Sequence, residues 1–142
     1  MRVMALDCGT RRTGVAVCDE MGITVRPVET IGGRNRSEAL HRAAELSKEL
    51  GARQIVIGLP LNMDGSEGPA VRRVREFADG LRALVDVPIE LCDERLTSRE
   101  ADQILLERGY TRDERKARSD EWAAVILLED YLSRQDRLQN RT

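Results

Sequence analysis

The sequence predicts a single α/β domain, a mixed five-stranded sheet flanked by helices. Three observations predict it. The first part of the chain holds three short apolar runs joined by the turns Gly9-Thr10-Arg11-Arg12 and Asp19-Glu20-Met21-Gly22. Connections that short suit antiparallel hairpins. After them, helical and extended patterns alternate to the end of the chain. Finally, 142 residues with 41% hydrophobic and 34% charged side chains suit one domain that folds without disulfides or a structural metal.

Residues 2–8 (RVMALDC), 13–18 (TGVAVC) and 23–28 (ITVRPV) read as the three hairpin strands. Pro27 cannot donate to a ladder and places the third at an edge. Residues 36–50 carry Leu40, Ala43, Ala44, Leu46, Ser47 and Leu50 near the helical period, and Gly51 supplies the stop. Residues 54–58 (QIVIG) read as a buried parallel strand, and 59–68 (LPLNMDGSEG) as a long polar loop. Pro69 suits the first turn of a helix reaching about Leu84. Val87 to Cys92 is the fifth strand. Thr97-Ser98-Arg99-Glu100 has the form of a capping box, opening a helix that ends near Arg108. A last helix is expected over about 119–134. The domain spans 1–134, and 135–142 reads as a polar tail. The apolar character of 2–8, 54–58 and 88–92 predicts that 2–8 is a central strand flanked by the other two.

Composition limits the function. No long apolar run follows the acid at position 7, so neither a signal peptide nor a transmembrane helix is expected, and the expected location is cytoplasmic, with no membrane partner. Cys8, Cys18 and Cys92 stand singly and His41 is the one histidine. That pattern argues against zinc and for buried, reduced thiols. The net charge of −2 leaves nucleic-acid binding to local basic clusters and bound cations. Phe77, Tyr110, Trp122 and Tyr131 are too few for a stacking platform along a single strand.

Three acids stand where apolar elements begin or end. Asp7 closes a buried strand, where a carboxylate needs a partner or a metal; it also reads as a turn cap. Asp93-Glu94-Arg95 ends a strand on what should be the same sheet edge, and also reads as a solvated pair with Arg95 as counter-ion. Asp120 shares a helical face with Ala124, Leu127, Leu128 and Tyr131, and also reads as a helix-dipole acid. Together they suit Mg²⁺ or Mn²⁺, hard cations that take oxygen ligands and stabilise phosphodiester cleavage.

The segments ALDCGTRRTGVA, IVIGLPLNMDGSEG, DERLTSREA and SDEWAAVILLEDYL, in that order, resemble the YqgF (RuvX) family of RNase H-like proteins, relatives of the Holliday junction resolvase RuvC. The resemblance covers nearly the whole chain. It implies an RNase H-like fold, with Asp7, Glu94 and Asp120 as the catalytic, metal-binding acids and Asp93 the neighbour not separated from Glu94. The family shows Lys or Arg followed by Arg after the GT pair, which Arg11 and Arg12 satisfy. The implied activity is a two-metal-ion nuclease of the bacterial cytoplasm that processes the 5′ end of the small-subunit (16S) ribosomal RNA precursor. A second implied activity is Holliday junction resolution, which calls for a homodimer because two symmetric cuts are needed.

The partner is therefore nucleic acid, structured RNA or branched DNA. Arg11, Arg12, Asn62, Arg95, Lys116 and Arg118 are the expected substrate-binding residues. Two rivals stand beside this reading. Actin-like phosphotransfer shares the first motif, but a second phosphate motif and a second domain are missing from the sequence. A non-catalytic RNA-binding assembly factor would not need all three acids.

Overall fold

A computed structural model describes residues 1–32, 35–94, 103 and 105–139. Five strands form one sheet: β1 (Val3–Cys8), β2 (Arg12–Cys18), β3 (Val25–Gly32), β4 (Gln54–Leu59) and β5 (Ile89–Asp93). Their spatial order is β3-β2-β1-β4-β5. β1 pairs antiparallel with β2 and parallel with β4. β3 is antiparallel to β2, and β5 parallel to β4. The sheet is thus mixed and five-stranded, with β1 at its centre.

The expected flanking of β1 is half right. β4 adjoins it, but β5 pairs with β4 and forms the far edge. Glu90 is exposed in the middle of β5, which suits an edge strand and not a strand covered on both faces. β3, with Pro27, is the other edge.

α1 (Arg36–Leu50) and α2 (Pro69–Arg82) cover one face, and α3 (Arg112–Gln139) the other. Side chains alternate across a strand, so β1 feeds both cores. Met4 and Leu6 pack with Ile55, Ile57, Leu46, Val74, Phe77 and Leu81 beneath α1 and α2. Val3 and Ala5 pack with Ala16, Val56, Cys92 and the α3 residues Ala124, Leu127, Leu128 and Tyr131. Asn35 caps α1 by accepting a 2.9 Å hydrogen bond from the Glu38 N–H.

α3 starts earlier than its apolar pattern suggests. Thr111 Oγ1 accepts from the Glu114 N–H and Glu114 Oε1 from the Thr111 N–H, both at 3.2 Å. That is a capping box ahead of a charged first turn. The helix also continues to Gln139, into the segment expected as a tail. The capping box expected at Thr97–Glu100 lies outside the described residues. Among the described residues, no helix is long and apolar enough to cross a membrane. All three cysteines are free, and burial pushes the Cys92 thiol up to about 11.

Candidate active site

Strand parity brings the acids together. Val3 and Ala5 face α3, and Asp7 continues that row. Across β2 the residue opposite Asp7 is Gly14. On the other side, the pairing of Leu6 with Ile57 sets Gly58 next to Asp7. Asp7 therefore lies between two glycines on the face that α3 covers.

Each glycine makes room for another acid. A Cβ on Gly14 would overlap the main-chain carbonyl of Asp120, so α3 can lie on β2 at that point only over a residue without a side chain. This contact fixes Asp120 beside Asp7. A Cβ on Gly58 would overlap the Glu94 carboxylate, which rests on the bare strand. The Glu94 N–H donates to the Leu59 carbonyl at 3.2 Å, holding the start of the following segment against β4. Thr30 Oγ1 lies 3.2 Å from Glu121 Oε1 and ties α3 to β3 one residue beyond Asp120.

The electrostatics are those of crowded, poorly hydrated carboxylates. Burial pushes Glu94 up to about 10, helped by its hydrogen bond to Asp7 and by the charges of Asp7 and Asp93. Asp7 is raised by burial, with the Asp120 charge adding to the rise and the Glu94 hydrogen bond opposing it. Glu94 thus keeps a proton and donates it toward Asp7. Glu94 Oε2 and Asp120 Oδ2 are buried without a hydrogen-bond partner. Arg12 Nε lies 3.3 Å from Asp120 Oδ2, near enough for Coulombic attraction though not aligned as a hydrogen bond.

Buried polar atoms left unsatisfied are uncommon and point to a missing ligand. Among the described residues, no three acid, thiol or imidazole side chains already enclose a shared ion position. Yet the donor set fits a hard divalent cation: oxygens only, two of them orphaned, on a carboxyl cluster that a cation would discharge.

The structure separates the two acids of the DER motif. Asp93 is the exposed last residue of β5, paired in register with Leu59, while Glu94 turns onto Gly58 toward Asp7. Asp120 lies well inside α3 and not in its first turn, so a helix-dipole role does not apply. Its side chain is 25% exposed, enough to open onto the sheet edge.

Arg11 lies in the β1–β2 turn and Arg12 opens β2 at that edge, both exposed. Asn62 is in the loop after β4, with its amide donating 3.0 Å to Ser66 Oγ; its side chain braces the loop. Arg95 and the side chains of Lys116 and Arg118 lie outside the described residues. Arg108 stacks on Trp122 at 4.5 Å, and exposed His41 contacts the Ser37 carbonyl at 2.8 Å. Gly14 and Gly58 were not among the expected site residues. Their signal is a glycine inside each of two otherwise apolar strands, which marks close approach by another group.

The sequence model of the RuvX family, described as Holliday junction resolvase, matches residues 1–134. A protein of Pelotomaculum thermopropionicum, named "Putative pre-16S rRNA nuclease", is 41% identical over 138 residues, covering 96% of this chain and 90% of its own length. One of the same name from Anaeromyxobacter sp. is 43% identical over 134 residues, covering 94% and 98%. Among solved structures, RuvC of T. thermophilus in complex with a Holliday junction substrate superposes with a TM-score of 0.58 at 13% identity, covering 95% of this chain and 96% of that one. The Fowlpox virus resolvase, solved with Holliday junction DNA, gives 0.57 at 12%, covering 95% and 99%. At such identities these two likenesses establish the fold, which is RNase H-like.

Proposed function

Because this chain belongs to the RuvX family, we propose that it is a nuclease hydrolysing phosphodiester bonds at a divalent-metal centre formed by Asp7, Glu94 and Asp120. One observation carries the reading. Asp7 stands between Gly14 and Gly58, and the space those glycines leave is filled by the Asp120 main chain and the Glu94 carboxylate. A fold that only bound RNA would gain nothing from crowding three carboxylates against one another.

Magnesium or manganese, when bound there, supplies Lewis-acid stabilisation of the leaving oxygen and lowers the pKa of an attacking water. The chain's own residues do the rest. Asp7 and Asp120 offer carboxylate oxygens from rigid elements, which fixes donor positions better than a loop would. Glu94 must give up its proton to join them. Arg12 attracts Asp120 and lies at the lip where a phosphate would arrive. Arg11 and Arg12 contact the phosphate backbone of the substrate strand.

The substrate is the 16S ribosomal RNA precursor, cut at its 5′ end; the names of relatives aligned over nearly their whole length support the precursor as substrate. The site of action is then the cytoplasm. The family description favours a second substrate, the Holliday junction, and a junction resolvase would act as a homodimer. Parallel cleavage of labelled precursor RNA and a synthetic four-way junction, each with Mg²⁺ and with Mn²⁺, tests the proposal. Cutting at the RNA 5′ boundary is expected. Junction cutting alone would move the substrate to DNA, and no cutting of either would remove the nuclease reading.

A further inference from the structure

On the opposite face of the sheet, at the same edge, lies a cavity of about 370 Å³. Its floor is apolar, formed by Ile31, Val74 and Phe77, and its rim carries Arg11, Arg12, Arg36 and Arg73. Among the described lining residues the one carboxylate is Glu76, which pairs with Arg36 at 3.2 Å. No hydrogen bond or ion pair engages Arg11 or Arg73 among the described residues. The rim therefore has a surplus of cations in a protein whose net charge is −2. Arg12 joins the two faces: it lines this cavity while its Nε lies 3.3 Å from Asp120 Oδ2.

An apolar floor with an aromatic ring, beneath a cationic rim, is chemistry for a planar base attached to a phosphate. The volume lies at the small end of the roughly 300–1,000 Å³ range of ligand sites, suited to one nucleotide and too narrow for a paired duplex. We propose that the cavity receives one unpaired nucleotide of the substrate strand, its base over Phe77 and its phosphate at Arg11 and Arg73. The strand then passes the Arg12 lip, which sets the neighbouring phosphate at the acid cluster. The inference deepens the nuclease reading and rests on it for the identity of the strand. It narrows the substrate class to strands carrying an unstacked, unpaired nucleotide beside the cut, because a base inside a duplex cannot enter.

The test uses a short single strand carrying one 2-aminopurine, in EDTA so that nothing is cut. The wild-type chain should bind it and change its fluorescence. Arg73→Ala removes an exposed cation and should weaken binding on the order of tenfold. Ala39→Phe, which fills the cavity from α1, should abolish the fluorescence change. A duplex with the same base paired should bind all three proteins alike. Should Ala39→Phe fail to fold, Arg73→Ala and Arg73→Glu, both at an exposed position, carry the test. Unchanged fluorescence with wild type, or equal weakening of strand and duplex by Arg73→Ala, would overturn the proposal. Asp7→Asn should still capture the probe. A wild-type chain that captures the probe in EDTA but cuts neither precursor RNA nor junction with Mg²⁺ or Mn²⁺ upholds the cavity and removes the nuclease reading; a wild-type chain that cuts but ignores the probe does the reverse.

Discussion

At Asp7 the chain places a carboxylate on the α3 side of a central strand, next to Glu94, and ionising both there is unfavourable without a cation. The cost has a pH signature. The Glu94 carboxyl, raised from 4.5 to about 10, binds more protons folded than unfolded. Its contribution to stability is therefore complete below about pH 4.5 and is lost as the pH rises toward 10. Asp7, also raised, acts in the same direction. Asp19 and Glu67, held below their ordinary values by hydrogen bonds and an ion pair, titrate beneath this window. In metal-free buffer the melting temperature should fall between pH 5 and 9, and Glu94→Gln should flatten that fall. A wild-type melting temperature that rises across the range contradicts the assignment. With Mn²⁺ present the Glu94 proton must leave, so affinity for the metal should increase with pH. Parallel cleavage assays of Glu94→Gln and Asp93→Asn should separate the neighbours, with a loss on the order of a hundredfold at Glu94 and under about tenfold at Asp93. Equal losses would undo the distinction drawn from Gly58.

At the scale of elements, two glycines decide where α3 and the segment after β5 can lie, and their alanine variants should fail differently. Gly14→Ala drives a methyl into the Asp120 main chain, which cannot yield without moving the helix. Overpacking of that kind costs about 1–3 kcal/mol, read as a melting temperature lower by several degrees. Gly58→Ala meets only the end of the Glu94 side chain, and alanine is favoured over glycine within a strand. It should keep the melting temperature within a few degrees of the parent while sharply weakening Mn²⁺ binding measured by calorimetry. Similar melting losses in both variants would contradict this account. The same scale shows what the sequence made legible. Among the described residues the five strands and the helices over 36–50 and 69–82 followed from apolar periodicity, and Pro27, Gly51 and Pro69 marked an edge, a stop and a start; most of the helix expected from Thr97 to about Arg108 lies outside them. The start of α3 was hidden because Arg112 to Arg118 is a charged run without an apolar stripe, and its signal was instead the Thr111 to Glu114 capping box. The position of β5 was hidden because Ile89 and Leu91 look like core residues, although they reach it only from the sheet's edge.

Across the whole molecule, the carboxyl ends of β1 and β5 and the face of α3 gather the acids, while the β1–β2 turn and the start of β2 bring Arg11 and Arg12 to the same edge. A protein of net charge −2 thereby presents a local cationic rim beside a cation-requiring cluster. Binding of nucleic acid should depend on salt through these few contacts. Removing Arg11 should lower the slope of log affinity against log salt by about 0.7–0.9 whatever the base sequence. An unchanged slope would take Arg11 out of the interface. The three acids stood out in the sequence because Asp7 and Glu94 end apolar strands and Asp120 precedes the apolar run that α3 lays on the sheet. What the sequence left hidden was how they meet, since the contacts that join them involve glycines and main chain. The central claim is that Asp7 holds the metal and does not merely cap a turn. Its most direct test is single-turnover cleavage of the precursor RNA by Asp7→Asn, paired with its melting temperature in metal-free buffer. The account predicts a loss on the order of a hundredfold or more with a melting temperature no lower than the parent's, because a buried charge repelled by Asp120 is gone while the amide oxygen can still accept from the Glu94 carboxyl. Retained cleavage, or lost cleavage with a much lower melting temperature, would contradict it.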